Sequence, residues 1–178
     1  MNKDADILIM PKKKLLIISH APSTNTQRLL DAVIKGANHP DITDIEVQYL
    51  APLDTRAEDI KAAQAVIIGT TENLGYMAGL IKDVFDRCYY DCLEHTQGLP
   101  FTYYIRAGHD GTGTRRALDT ITTGLRWKLV QEPLICKGDF NECYPLPSDV
   151  KHLEEFGCPK IGWEDAGYER IWNYFKTL

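Results

Sequence analysis

Three short segments of this chain carry residue types that can hold a small polar ligand. The first runs His20, Ala21, Pro22, Ser23, Thr24, Asn25, Thr26, leaving an apolar run and entering a helical pattern. Ser23, Thr24 and Thr26 offer hydroxyls and Asn25 an amide. A helix beginning near Thr26 adds free N–H groups and the positive end of its dipole. Such a segment can hold a phosphate without any Lys or Arg; by itself it also reads as a turn with a side-chain cap from Ser23 or Asn25. The second segment, GTTENLGYMAGLIKDVFDR (residues 69–87), joins Thr70, Thr71, Glu72, Asn73, Leu74, Gly75 and Tyr76 to a helical pattern carrying Lys82, Phe85 and Asp86. The third, AGHDGTGT (residues 107–114), places Ala107, Gly108, His109, Asp110 and Gly113 in a glycine-rich loop. Glycine lets the backbone approach a flat ligand closely, and its N–H can answer ring carbonyls; either loop alone also reads as a plain turn. Neither the G-x-G-x-x-G fingerprint nor the G-K-[ST] of a P-loop occurs in the first segment, so a phosphate there would sit in a hydroxyl-built socket. That argues against ordinary nucleoside triphosphate chemistry. No Ser-His-Asp or Cys-His arrangement nominates a catalytic residue.

The elements that must position these segments follow from the apolar pattern. KLLIIS (14–19) is nearly continuous in apolar residues, as a strand buried on both faces should be. TQRLLDAVIKGA (26–37) puts Leu29, Leu30, Val33 and Ile34 on one stripe and predicts an amphipathic helix. DIEVQYL (44–50) alternates as a second strand, and AAQAVIIGT (62–70) reads as a third. A helix is expected over 77–94, a fourth strand over 100–108, a helix over 113–128 and a fifth strand over 129–136. Segments 148–157, capped by Ser148, and 163–176 read as helices, and the aromatic residues of the latter suit packing onto the sheet. Residues 1–13 read as a loosely held extension and 137–147 as the most irregular stretch. Strands interleaved with helices predict an α/β domain with a doubly wound parallel sheet of five strands in order 2-1-3-4-5. Ligands of such sheets bind beyond the carboxyl ends of the strands, where the strand order reverses, and all three segments fall there.

At 178 residues, with 44% hydrophobic and 25% charged residues, the chain is expected to form one folded domain over 1–178. A net charge of −5 opposes binding to nucleic acid or an anionic membrane. No window approaches the roughly 18 apolar residues of a membrane span, and no secretory signal is legible. The five cysteines, odd in number and without a C-x-x-C pair, are expected to be reduced thiols in a cytoplasm. Cys88, Cys92 and His95 lie close enough in sequence to suggest a metal, but without a fourth ligand they read as a buried helix face, and no metal is expected.

With these motifs the chain resembles the flavodoxin-like FMN proteins, the group holding flavodoxins and NAD(P)H-dependent FMN and quinone reductases. The resemblance spans roughly residues 14–140. S-T-N-T at 23–26 is similar to the family's phosphate loop, the segment at 70–87 to its second flavin loop and following helix, and A-G-H-D-G-T-G at 107–113 to its third. It implies a three-layer flavodoxin-like domain in which Ser23, Thr24, Asn25 and Thr26 meet the FMN phosphate. It further implies that Thr70, Thr71, Glu72, Asn73, Leu74, Gly75 and Tyr76 line one side of the isoalloxazine ring, and that Ala107, Gly108, His109, Asp110 and Gly113 close the other. Thr71 stands where many relatives have Pro, and Tyr76 and His109 are the aromatic candidates for stacking on the ring.

What the resemblance implies for function divides three ways. The first reading is an NAD(P)H-dependent oxidoreductase that reduces FMN, quinones or similar acceptors. A flavodoxin carrying electrons between protein partners is the second, and a flavin-free binding module the third. Carriers are typically strongly acidic around the flavin, whereas Arg106, Arg115, Arg116 and Arg126 lie near the third loop here; they suit either a solvated helix face or the 2′-phosphate of NADPH. The expected partners are a small-molecule electron donor or acceptor, or a redox protein. Related reductases often build the flavin site at a dimer interface, which leaves the oligomeric state open between a single chain and a homo-oligomer.

Overall fold

The computed structural model describes residues 12–137. The strands are β1 (Lys13–Ser19), β2 (Ile45–Leu50), β3 (Ala65–Asn73), β4 (Tyr76–Met77), β5 (Pro100–Arg106), β6 (Lys128–Leu129) and β7 (Leu134–Cys136). The helices are α1 (Thr24–Ala37), α2 (Ala57–Ala62), α3 (Gly79–Leu93) and α4 (Thr112–Gly124), with a 3-10 turn at Pro52–Asp54. The sheet runs β2-β1-β3-β5 and continues with β6 and β7, both parallel to β5. The order expected from sequence therefore holds, with β5 in fourth place and β6 with β7 in fifth.

Strand residues alternate between two cores. Leu16, Ile18, Val66, Ile68, Phe101, Tyr103 and Ile105 face α2, α3 and α4, meeting Ile60, Ile81, Val84, Phe85 and Leu118. Leu15, Ile17, Ala65, Ile67, Tyr104 and Cys136 face the other way, where Leu29, Leu30 and Val33 of α1 pack. Burying each of these Leu or Ile side chains contributes about 1.5–3 kcal/mol, which is what pins helices to both faces. Cys88 and Cys92 lie inside the first core, where burial raises both thiols, Cys92 to about 11.

Several expectations change, the helix over 113–128 among them: α4 ends at Gly124, and Lys128 already belongs to β6. α2 falls where a connection was expected; the six-residue A-E-D-I-K-A buries only Ala57 and Ile60, too short a pattern to show a period. β3 begins at Ala65 and continues to Asn73, then turns back as β4, so the second segment is a β-hairpin and not an open loop. The fifth strand is broken. Phe101 pairs with Leu129 and Tyr104 with Leu134, so three residues of β5 are spanned by five of the partner, and Pro133 cannot donate to a ladder. α1 starts at Thr24, two residues earlier than expected.

Of the expected N-terminal extension only Lys12 and Lys13 are described, and Lys13 already pairs with Ile45 as the first residue of β1. The expected helices at 148–157 and 163–176, and the irregular stretch apart from Lys137, lie outside the described residues. No helix among the described residues is long and apolar enough to cross a membrane.

Candidate functional site

The chain leaves β1 for β2 on one side and places β3 on the other, so β1 and β3 flank the point where the strand order reverses. β1, β3 and β5 end side by side there, with Ser19 beside Gly69, Gly69 beside Tyr104 and Thr71 beside Arg106. Gly69 is required by this closeness: a Cβ on it would lie 2.3 Å from the Tyr104 ring and 2.4 Å from Ser19 Oγ. The Ser19 and Tyr104 hydroxyls share a buried hydrogen bond of 2.7 Å across it. His20 extends the pairing one residue beyond β1, its N–H donating to the Gly69 carbonyl at 3.0 Å. Burial lowers the His20 pKa, so its imidazole brings no cation to the first loop at neutral pH.

Ser23 caps α1. Its Oγ accepts from the Thr26 N–H at 3.3 Å, and Thr26 Oγ1 accepts in return from the Ser23 N–H at 2.9 Å. Thr26 is buried and also donates to the Ser23 carbonyl. These two hydroxyls build the turn, while Thr24 and Asn25 form the exposed first turn of the helix. Their backbone N–H groups have no intrahelical acceptor, and no acidic residue stands in that first turn. The four residues expected to face an anion thus divide into two that shape the socket and two that present donors.

The second segment divides likewise. Thr70 is 1% exposed; its hydroxyl accepts from the Ala78 N–H at 3.1 Å and donates to the Thr71 carbonyl, fixing where α3 begins. Thr71 Oγ1 is buried without a hydrogen-bond partner among the described residues. Beyond it, Asn73, Leu74, Gly75 and Tyr76 form the exposed hairpin tip, Leu74 wholly in solvent. Leu74 and Gly75 take φ values of +55° and +75°, the pair of left-handed residues of a type I′ turn. For leucine that conformation is strained, by about 1–3 kcal/mol. Behind the tip, Arg87 bonds the carbonyls of Pro52 and Thr55 and the Asp83 carboxylate, and Lys82 pairs with Asp86. Arg87 thereby secures α3 against residues 52–55, while Lys82 stands near enough to Tyr76 of the hairpin tip to interact with it electrostatically.

In the third loop Ala107 is buried, its N–H donating to the Cys136 carbonyl, while Gly108, His109 and Asp110 are exposed. Asp110 Oδ1 accepts from the Thr112 N–H at 2.8 Å, and that bond holds its carboxyl below the usual range. Two contacts join this loop to the hairpin. The Glu72 carboxylate accepts from the N–H groups of His109 at 2.7 Å and Gly111 at 3.2 Å. Gly113, at the start of α4, sits so close to the hairpin that a Cβ would fall 2.0 Å from the Gly75 carbonyl oxygen. Gly111, absent from the residues singled out in sequence, caps α4 at φ +75°. The clustering of three glycines was its signal.

Of the four arginines near the third loop, Arg106 bonds the Ala107 and Cys136 carbonyls, Arg115 pairs with Glu132 and Arg126 with Glu94. Arg116 is exposed and makes no ion pair among the described residues. The resulting site is an uncharged anion socket at one end and, at the other, two backbone walls joined to each other, one edged with exposed apolar side chains.

No family model matches the chain. A stretch of 50 residues is 36% identical to the transcription antitermination protein NusB of Cronobacter sakazakii (strain ATCC BAA-894), covering 28% of this chain. The chain covers 36% of that relative, and a match of this extent assigns neither fold nor role. Solved structures match far more widely. A flavodoxin from the domain Archaea superposes with a TM-score of 0.64 at 17% identity, covering 90% of this chain and 98% of that one. An oxidoreductase from Corynebacterium diphtheriae gives 0.62 at 14% identity over 95% of this chain and 100% of that one. A flavodoxin, WrbA-like protein from Agrobacterium tumefaciens gives 0.56 at 15% over 94% and 99%.

Proposed function

With a flavodoxin-like α/β fold as premise, we propose that this chain binds FMN and acts as an NAD(P)H-dependent oxidoreductase toward FMN, quinones or similar small acceptors. The observation that carries the proposal is the pairing of an acid-free, N–H-rich first turn of α1 with two ring-side walls tied together by Glu72 and Gly113. The donor set fits the group. A phosphate monoester is held by hydroxyl, amide and helix N–H donors at Thr24 and Asn25, with Ser23 and Thr26 keeping the turn in shape. A flat ring system needs apolar edges and close backbone, which Leu74, Tyr76, Gly75 and Gly108 offer; Gly75 and Gly108 have no atom within 4 Å of where a Cβ would stand.

Bound FMN supplies the redox chemistry, taking up electrons from a nicotinamide and passing them to an acceptor. The chain's own part is to bind, orient and limit water. Exposed Gly108 and Asp110 carry N–H groups that can meet ring carbonyls. Of the four arginines near the third loop, Arg116 is the one without an ion pair among the described residues, and it suits the 2′-phosphate on the adenosine ribose of NADPH. The similarity to flavodoxins supports a second reading, a carrier passing electrons between proteins.

Stopped-flow mixing of the FMN-loaded protein with NADPH and with NADH separates the two. Bleaching of the flavin band within seconds, followed by reoxidation on adding a quinone, is expected for the enzyme. No reaction with either nucleotide, together with stepwise one-electron reduction by dithionite, rejects the enzyme in favour of the carrier.

A further inference from the structure

Glu72 reads from sequence as a ring-lining residue, yet its side chain is engaged elsewhere. Its two carboxylate oxygens are directed at the N–H groups of His109 and Gly111, two residues apart in a loop that carries a left-handed glycine. Alternate N–H groups turned toward one point form a concave anion site. Here the anion is supplied by the protein, from a residue 37 positions upstream on the opposite wall. Hydrogen bonds to a charged acceptor contribute more than neutral ones, and two from one carboxylate fix direction as well as distance. Gly113 against the Gly75 carbonyl closes the same junction from the α4 side. Ala107 is tied to Cys136, and Thr112 to Asp110. Among the described residues this leaves the N–H groups of Gly108 and Asp110 as the loop's unengaged donors.

We infer that Glu72 is the positioning residue of the ring end: its carboxylate fills the third loop's own anion site and holds that loop ready without touching the ring. The inference deepens the FMN reading and rests on it for its ligand. It also carries a consequence for selectivity. With the converging N–H pair of His109 and Gly111 already filled by a carboxylate, a phosphate at that point would meet like charge, so the phosphate of a ligand is directed to α1 and the donors of Gly108 and Asp110 are left for the ring.

Amide hydrogen exchange on the full flavin-free chain tests the contact itself. His109 and Gly111 are expected to be protected while Gly108 and Asp110 exchange fast, and Glu72→Gln is expected to speed the first two by about tenfold or more. Gln offers one acceptor oxygen and turns an NH2 toward the other N–H, so it cannot replace both bonds. Fast exchange at His109 and Gly111 in the unaltered protein, slowing only when flavin is added, would overturn the inference and make Glu72 a ring ligand. If E72Q does not fold, the pattern in the unaltered chain decides alone. The ligand readout is separate: E72Q should weaken FMN and riboflavin by the same factor, whereas Asn25→Ala should weaken FMN and leave riboflavin unchanged. An E72Q effect on FMN alone would contradict the assigned ring-end role. Absence of any flavin binding by the unaltered protein would remove the FMN reading while the exchange pattern still judges the carboxylate contact.

Discussion

Replacing Gly113 by alanine probes the junction on which the ring end depends. The added Cβ would stand 2.0 Å from the Gly75 carbonyl oxygen, and ordinary contact begins at 3.4 Å, so the two walls must part by about 1.4 Å. The obstructing atom is backbone, and no rotamer change can relieve it. Overpacking of this kind costs about 1–3 kcal/mol. Alanine in place of glycine returns at most about 1 kcal/mol of helix propensity, less in a first turn. The net loss of stability is therefore about 0–3 kcal/mol. Binding should suffer as well. The Glu72 bonds at 2.7 and 3.2 Å cannot stretch by that amount and survive, and a misplacement of about 1 Å can cost on the order of a hundredfold where geometry matters. We expect G113A to weaken FMN by at least about tenfold by flavin fluorescence titration, with a fall in the urea midpoint by circular dichroism. Two glycines serve as controls. Gly79→Ala, with no atom within 4 Å, should bind FMN normally and be neutral or slightly stabilised. Gly124→Ala meets the tip of the Tyr89 side chain, which can swing aside, and should also bind normally. If G113A behaves like G79A in both assays, the junction between the walls does not govern the site.

Three further outcomes follow from single residues. Leu74→Asn should raise Tm, because Asn accepts the left-handed turn conformation at lower cost by about 1 kcal/mol, and should weaken FMN several-fold by removing an apolar edge; an unchanged Tm would remove the strain. Burial lowers the His20 pKa, so the folded state binds that proton less readily than the unfolded one. Stability is then lost as pH falls from 7 through the ordinary histidine range, and His20→Gln should flatten part of that fall in urea titrations at pH 7.5 to 5; parallel curves would refute it. Cys88 and Cys92 are buried with raised pKa values, so iodoacetamide at pH 8 should modify them only at a rate that climbs with urea. Prompt labelling of both in native protein would contradict the packing of α3.

The fold was legible where burial imposes a pattern. The continuous apolar runs around Ile17 and Ile67 mark strands covered on both faces, and the Leu29, Leu30, Val33 stripe marks α1. What stayed hidden lacks a period or depends on distant partners. α2 is under two turns, and the break between β6 and β7 is set by register against β5. The hairpin was obscured because Leu74 occupies a turn position where Asn is usual. The candidate site was legible as a list of residues but not as a division of labour. Ser23 and Thr26 satisfy each other, Thr70 serves α3, and Glu72 meets a loop 37 to 39 residues later, relations that no local spacing encodes.

The central claim is that the rim is an FMN site, and titration of the flavin-free protein with FMN tests it most directly. The account predicts saturable quenching of flavin fluorescence at one FMN per chain, weakened by Asn25→Ala and by G113A but not by G79A. Flavin fluorescence that stays at the free value through an excess of protein would contradict it.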